Sequence, residues 1–465
     1  MDILLTHGYF LYEDPHELAV MKPYPPLGLL YVSSHLKARG IATDLFDTTF
    51  ARFEDLRAHL ERTRPPIVGV YSNLMTRARV LQVVATAKAL GSYVIVGGPD
   101  PANYLEEYLS RGADVVAIGE GELTLEELVP HIVQHGLSEL DTIPGIVFRA
   151  DDGAIVRTEP RAMIADLDAQ PFPDRAAIDQ QEYVNIWRKH HGQGSVSLIT
   201  ARGCPFTCTW CSHAVFGYSH RRRSPINVVN EVEEIVATYS PDQLWYADDV
   251  FTINHKWLYE YAEELERRNL RLPFETISRE DRLNEEVAQT LARMGCYRLW
   301  IGAESGSQRV LDLMKRRTNA ERMRAMVHLL QKYGIEVGMF IMLGYEGEDR
   351  SDLQATVNHL KEAGPDTFLT TVAYPIKGTP YYASVADKII ARRQWELGSD
   401  RDYTVAGRHS PRYYQFATRW MVSEVALHQQ RRAPRRSYPR MAKSFLSAKL
   451  GQVGMLLTER EVERA

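Results

Sequence analysis

Apolar residues along this chain fall into short dense runs, separated by stretches where they recur every three or four positions. In the first 135 residues the runs are DILLT (2–6), ATDLFD (42–47), IVGVYS (67–72), YVIVGG (93–98) and DVVAIG (114–119). Short unbroken runs rich in Val and Ile predict strands covered on both faces. Helical periodicity near 27–39, 54–63, 76–90, 101–110 and 123–135 supplies the crossovers between them. Together they predict an α/β domain with a doubly wound parallel sheet of Rossmann-like type. Ligands of such sheets gather beyond the carboxyl ends of the strands. Those ends carry Ser72-Asn73, Gly97-Gly98-Pro99 and Gly119-Glu120-Gly121-Glu122, where glycine either admits a bulky partner or simply makes a tight turn.

Residues 136–194 break the rhythm and read as a connector. GIVFRADDGAIVRTE (145–159) places Asp151-Asp152-Gly153 between two β-rich arms, a hairpin signal. The proline-punctuated DAQPFPDRAAI follows. Alternation then restarts with SVSLIT (195–200), QLWYAD (243–248), FETIS (274–278), YRLWIGA (297–303), EVGMFIML (336–343) and TFLTTVA (367–373). Six such units over 195–385 predict a partial (β/α)6 barrel of TIM type with its chemistry at the strand C-termini. Residues 386–465 read as a helical extension, with YYQFATRWMVSEVALHQQ (413–430) and the basic run RRAPRRSYPR (431–440), taken as a solvated surface segment.

Composition changes this picture little. A length of 465 residues, 45% hydrophobic and 25% charged, is that of a multidomain globular enzyme. Net charge of −5 gives no reason to expect nucleic acid or an anionic membrane as partner. No apolar stretch has the length of a membrane span, and MDILLTHGYF lacks the features of an export signal, so the reducing cytoplasm is expected.

Cysteine changes it a great deal. Three of the four cysteines, Cys204, Cys208 and Cys211, lie within TARGCPFTCTWCSHA (200–214), just past a strand end. A structural zinc site needs four ligands, and within the segment only His213 is at hand. A redox pair needs two cysteines. Three thiolates suit a cubane iron–sulfur cluster with one iron left open. Cys296, in ARMGCYRLW, reads as a small core residue.

With Trp210 before the third cysteine, this segment resembles the signature of the radical S-adenosylmethionine superfamily. LWYADDVFT (244–252), GCYRLWIGAESGSQRVLDLMKR (295–316) and VGMFIMLGYEGED (337–349) resemble later strand regions of its core. YPPLGLLYVSSHL (24–36), VIVGGPDP (94–101) and AIGEGELTLEEL (117–128) resemble the cobalamin-binding branch, and the likeness spans about residues 1–385. It implies a 4Fe-4S cluster held by Cys204, Cys208 and Cys211. It implies reductive cleavage of S-adenosylmethionine to a 5′-deoxyadenosyl radical, and an external one-electron reductant of flavodoxin or ferredoxin type.

For the S-adenosylmethionine contacts, the resemblance implies Trp210 near the cluster and Ala247, Asp248 or Asp249 at the amino group. It implies Ser278 and Arg279 at the carboxylate, Glu304 and Ser305 at the ribose, and Gly338, Leu343 and Gly344 against adenine. For cobalamin it implies Pro26, Leu27 and Gly28 beneath the corrin. Ser72, Asn73, Gly97, Gly98 and Gly119, Glu120, Gly121, Glu122 would lie along the nucleotide tail. DPHELA (14–19) has the outline of a cobalt-ligating D-x-H-x-x-G motif with Ala19 in place of glycine, making His16 either a ligand or a surface-loop histidine. The implied reaction is methylation of an unactivated carbon of a small molecule. Cyclisation, oxidation or rearrangement with a degenerate cobalamin domain is one alternative, and a non-catalytic metal-binding scaffold is another. HRRRSP (220–225) is either a site for an anion or a solvated turn. Tyr374, Tyr381, Tyr382, Tyr413, Tyr414 and Trp420 are either substrate-stacking or packing residues.

Overall fold

The computed structural model describes residues 1–433 and 435–464, which form two compact units. The first comprises Met1–Pro205, Ser212–Asp248 and Gln394–Ser399; the second comprises Phe206–Cys211, Asp249–Arg393 and Asp400–Ala465.

In the first unit the five predicted strands form as β1 (Ile3–His7), β2 (Thr43–Phe46), β3 (Ile67–Tyr71), β4 (Tyr93–Gly97) and β5 (Val115–Ala117). They are parallel, in the order β2-β1-β3-β4-β5. Their unbroken apolar composition has the expected cause. Ile3, Leu5, Ile67, Ile95 and Val115 pack on one face, beneath the helices Leu27–Ala38 and Gly121–His135. Leu4, Val68, Val70, Val94 and Val96 pack on the other, beneath Phe53–Thr63 and Arg77–Ala89. Period-two side chains therefore have no polar face to offer.

The predicted hairpin is present as β6 (Ile146–Arg149) and β7 (Ile155–Arg157). It does not stand apart as a connector: β6 pairs antiparallel with β5 and widens the sheet to seven strands. Beyond it come β8 (Ser195–Leu198), a two-residue ladder of β9 (Ala201–Arg202) with β10 (Arg221–Arg222), and β11 (Gln243–Tyr246), which runs parallel to β8.

The second unit holds the other four barrel strands, β12 (Phe274–Ser278), β13 (Cys296–Glu304), β14 (Glu336–Leu343) and β15 (Thr367–Val372), parallel and in that order. All six strands predicted for the barrel therefore form. The helices His255–Arg267, Glu285–Met294, Ala320–Lys332 and Arg350–Ala363 each begin at a side-chain cap, from Asn254, Asn284, Asn319 and Asp349. Each cap satisfies backbone N–H groups that no helical carbonyl can reach. Along β13, Leu299, Ile301 and Ala303 are fully buried, while Trp300, Gly302 and Glu304 on the alternate face are partly open. The extension contributes two long helices, Pro411–Arg432 and Tyr438–Thr458, packed as a hairpin.

Candidate active site

In the second unit the cysteine loop is fixed at its centre. Thr209 Oγ1 donates to the Met314 carbonyl at 3.0 Å and shares a 2.7 Å hydrogen bond with Tyr345 Oη. The Tyr381 N–H donates to the Thr209 carbonyl at 2.8 Å. Trp210 packs on an apolar group that includes Val310, Met314, Tyr345 and Tyr381. A loop without regular structure is thus held by one threonine and one tryptophan, and Cys208 is buried between them and the strand ends.

Two guanidiniums converge on that thiol. Arg279 Nη1 and Arg316 Nη1 each lie 3.7 Å from Cys208 Sγ. Arg279 is itself positioned by Asp281 (2.9 Å), by the Arg316 carbonyl (3.1 Å) and by the Phe206 ring, 3.8 Å from its guanidinium carbon. Arg316 Nη2 donates to the Gly302 carbonyl at 2.6 Å. Sequence reasoning assigned Arg279 but not Arg316. A backbone signal marks it: Lys315 and Arg317 on either side are left-handed, at φ 49° and 53°. Non-glycine residues hold that conformation at a cost, and do so most often around functional groups.

Glu304, at the end of β13, shares the feature with φ 61°, beside a break in strand register after Gly302. Burial, then the negative charge at Cys208, pushes its carboxyl up to about 8, against the opposing pull of Arg279. Ser278 Oγ bonds Thr252 Oγ1, and Ser305 is occupied by Thr356 and by the Ser307 N–H, so both serines first of all brace their strand ends. Gly338 has a concrete reason to lack a side chain: a Cβ there would stand 2.3 Å from the Trp300 ring, which lies across β14 and stacks on Phe340. Leu343 is buried in the core, and Gly344 donates its N–H to Glu348.

In the first unit Asp248 is fully committed to the protein. Its carboxylate accepts from Thr200 N at 2.7 Å, from Ala201 N at 3.2 Å, from the Thr200 hydroxyl and from Arg222 Nη2 at 2.8 Å. Of the trio at the second strand end, Ala247 is half-buried and Asp249 exposed. The adjacent helix is capped by Asn254, so Asp249 is not its N-cap.

The HRRRSP segment resolves into neither of its two sequence readings. Arg221 pairs with Glu120, Arg222 with Asp248 and Arg223 with Glu231, every one of those carboxylates buried. Glu120 also accepts from Arg202 Nη1 at 2.7 Å, and Glu122 accepts from Arg202 Nη2 at 2.6 Å. Burial works to raise the Glu120 carboxyl, but hydrogen bonds from Arg221 and Arg202 outweigh it and hold the group below its ordinary 4.5. A carboxylate depressed in the fold contributes stability above its unfolded pKa and loses it as pH falls through the folded value. Glu120→Gln is therefore expected to lower stability by about 2–3 kcal/mol at neutral pH. The gap to wild type should narrow below pH 4.5. Denaturation series at several pH values measure both.

The strand ends of the first unit open into two cavities. One, of about 620 Å³, is lined at β1 and β3 by Tyr9, Pro26, Leu27, Gly28, Asn73 and Arg79, among others. The other, of about 240 Å³, is lined by Gly119, Glu120, Met163, His213 and Val215, among others. Ser72, Gly97, Gly98, Gly121 and Glu122 line neither. Ser72 bonds Tyr108, and Gly98, at φ 107°, turns the chain so close to the Ser72 carbonyl that a Cβ would meet it at 2.3 Å. His16 is 80% exposed and lies outside both cavities. The D-x-H outline is a helix cap: Asp14 accepts from the His16 and Glu17 N–H groups to start Pro15–Val20. Tyr9 and its hydrogen-bond partner Glu17 carry no sequence signal of this kind, yet both line the larger cavity.

Among the described residues no three His, Cys, Asp or Glu side chains form a closed metal-holding group. The surroundings of the three loop cysteines nonetheless fit an anionic thiolate-bound cluster. Residues 200–214 contain no carboxylate, the donors are soft sulfurs, and two cations face the buried one. The larger cavity, with apolar Pro26 and Leu27 beside polar Asn73 and Arg79, fits a flat corrin edged with amides.

Comparison with known proteins agrees. Residues 198–360 match the Radical SAM superfamily and residues 19–129 match the B12 binding domain. The chain thus carries a radical S-adenosylmethionine domain together with a cobalamin-binding domain. It is 28% identical to the uncharacterized methyltransferase PH0819 of Pyrococcus horikoshii, over 83% of this chain and 84% of that one. It is 27% identical to the anaerobic magnesium-protoporphyrin IX monomethyl ester cyclase of Rubrivivax gelatinosus, over 79% and 67%. Its fold resembles that of OxsB, a cobalamin-dependent S-adenosylmethionine radical enzyme (TM-score 0.75, 16% identity, 98% of this chain and 72% of that one). It also resembles that of the methyltransferase TsrM from Kitasatospora setae (TM-score 0.69, 18% identity, 83% and 76%).

Proposed function

We propose that this protein is a cobalamin-dependent radical S-adenosylmethionine methyltransferase acting on an unactivated carbon of a small molecule. The observation that carries the reading is the buried Cys208 thiol flanked by Arg279 and Arg316, in a chain that also holds a B12 binding domain. When bound, the cluster supplies one electron to split S-adenosylmethionine into methionine and a 5′-deoxyadenosyl radical, and cobalamin carries the methyl group.

The residues have distinct tasks. Cys204, Cys208 and Cys211 would hold the cluster by their thiolates. Arg279 and Arg316 balance its negative charge, and Arg279, a planar fork, is also placed to take the cofactor carboxylate. Because Asp248 is bound to Arg222 and Thr200, the acceptor for the amino group is the strand-end backbone at Ala247 or the exposed Asp249 carboxylate. Glu304 and the backbone beyond Ser305 would face the ribose, and the partly open face of β14 at Met342 would face adenine, Leu343 being turned into the core. Trp300, over Gly338, closes the open face of the sheet below that position. Pro26, Leu27, Gly28 and Asn73 would hold the corrin, and Gly119 and Glu120, which line the smaller cavity, would take its tail. A flavodoxin- or ferredoxin-type protein delivers the electron.

The test is anaerobic reconstitution with iron, sulfide and cobalamin, followed by turnover with S-adenosylmethionine labelled in its methyl group. Retention of cobalamin through gel filtration, 5′-deoxyadenosine and labelled methylcobalamin are the expected results. A second reading, a radical cyclase, has the relatedness to the magnesium-protoporphyrin cyclases in its favour. It predicts deoxyadenosine with no label on cobalt.

A further inference from the structure

The helix Tyr438–Thr458 buries one face, at Ala448, Gly451, Gly454, Met455 and Thr458, against the rest of its unit. The opposite face is apolar as well. Phe445, Leu446, Leu450, Val453, Leu456 and Leu457 are between 44% and 78% exposed. At 100° per residue the six fall within one arc opposite the buried face. Six large side chains exposed to this extent offer roughly 600 Å² along one face, at the top of the range for the largest apolar patch on a soluble monomer.

Charge around this patch is one-sided. From Val425 to Thr458 the chain has seven Lys and Arg residues, Arg431 through Lys449, and no Asp or Glu, although the whole chain has a net charge of −5. Among the described residues none of the seven is paired with a carboxylate. Arg432 approaches His428 and Lys449 bonds Gln452. Lys443 sits at the edge of the apolar arc and Lys449 within it, its ammonium 5.8 Å from the Phe445 ring; their stems can lie along the apolar surface while the ammonium groups reach outward. No helix among the described residues is long and apolar enough to cross a membrane, so the pattern is one of lying on a surface.

We propose that the Tyr438–Thr458 helix and the basic segment before it form a docking surface for an anionic lipid bilayer. The exposed leucines insert at the acyl boundary, and the cations between Arg431 and Lys449 contact phosphate headgroups. The pairing of an apolar face with unneutralised cations is what peripheral binding requires, since neither signal alone holds a protein to a membrane. A second copy of the chain would fit the apolar stripe but would bring seven more cations toward the same place.

The test is flotation of the full-length protein with vesicles of pure phosphatidylcholine and of equimolar phosphatidylcholine and phosphatidylglycerol, together with sedimentation velocity in the absence of lipid. Expected are binding to the anionic vesicles alone, its release by high salt, and a monomer in solution. Arg435→Glu with Arg440→Glu should weaken binding by at least about fivefold per cation. Leu446→Ser with Leu457→Ser should weaken it by about tenfold or more. Both variants alter exposed positions and should keep the wild-type melting profile. Failure to float with anionic vesicles overturns the proposal, as does a dimer that the serine variant dissociates.

Discussion

The Cys208→Ala variant is expected to bind no iron–sulfur cluster and to form no 5′-deoxyadenosine. A cluster with one open iron rests on three protein thiolates, and removing one leaves two anchors on a loop with no carboxylate to substitute. Cys208 is also the thiol on which the site's charge is centred. Arg279 and Arg316 both face it at 3.7 Å; on its loss Arg279 keeps Asp281, while the buried Arg316 loses the sulfur and keeps its bond to the Gly302 carbonyl. The fall in deoxyadenosine formation should be about 10³-fold or more, which is small against the accelerations enzymes reach. Visible absorbance and iron content after anaerobic reconstitution read the cluster directly, independently of turnover. Cys296→Ala is the control. That thiol is buried at the start of β13, its sulfur donates to the Arg298 carbonyl, and burial raises its pKa. The control should keep cluster and activity. Full cluster absorbance in Cys208→Ala would remove the assignment.

Strands were legible because they are buried on both faces: every one of the eleven parallel strands predicted forms within about two residues of its run. The cysteine loop was legible because soft donors at short spacing have few other uses. Arg316 was not, because its role depends on a left-handed backbone at Lys315 and Arg317 that composition does not reveal. The HRRRSP run was misread for a related reason. Sequence shows three adjacent cations but not that three acids from Glu120, Asp248 and Glu231 are folded in to meet them one by one. At His16 the exposed placement agrees with the surface reading, and the motif outline around it includes a helix cap from Asp14. The tyrosines of the extension divide as packing predicts. Tyr381, Tyr413, Tyr414 and Trp420 are core, while Tyr374 and Tyr382 stay partly open.

The strongest structural prediction concerns Glu231, which has no exposed surface and sits between two arginines. Arg175 Nη1 lies 2.7 Å from one carboxylate oxygen and Arg223 Nη1 contacts the other. Both cations have further partners: Arg175 donates to the Ser197 carbonyl, and Arg223 to Asn227 and the Ile199 carbonyl. They therefore tie the helix Pro225–Tyr239 to β8 and its continuation, just before the cysteine loop. Glu231→Ala strands two buried charges at once, and the expected loss is about 3–5 kcal/mol, read as a lowered denaturation midpoint. Replacing all three charges by apolar residues of similar size (Arg175→Met, Glu231→Leu, Arg223→Met) should recover most of that loss, because desolvating the triad costs about as much as its attraction returns. If instead Glu231→Ala is mild and the triple variant severe, the triad's role lies in its hydrogen bonds to Ser197, Ile199 and Asn227 rather than in its charge. Those same bonds hold the start of the loop that carries Cys204, so cluster occupancy in the two variants separates a global loss of stability from a local loosening of the site.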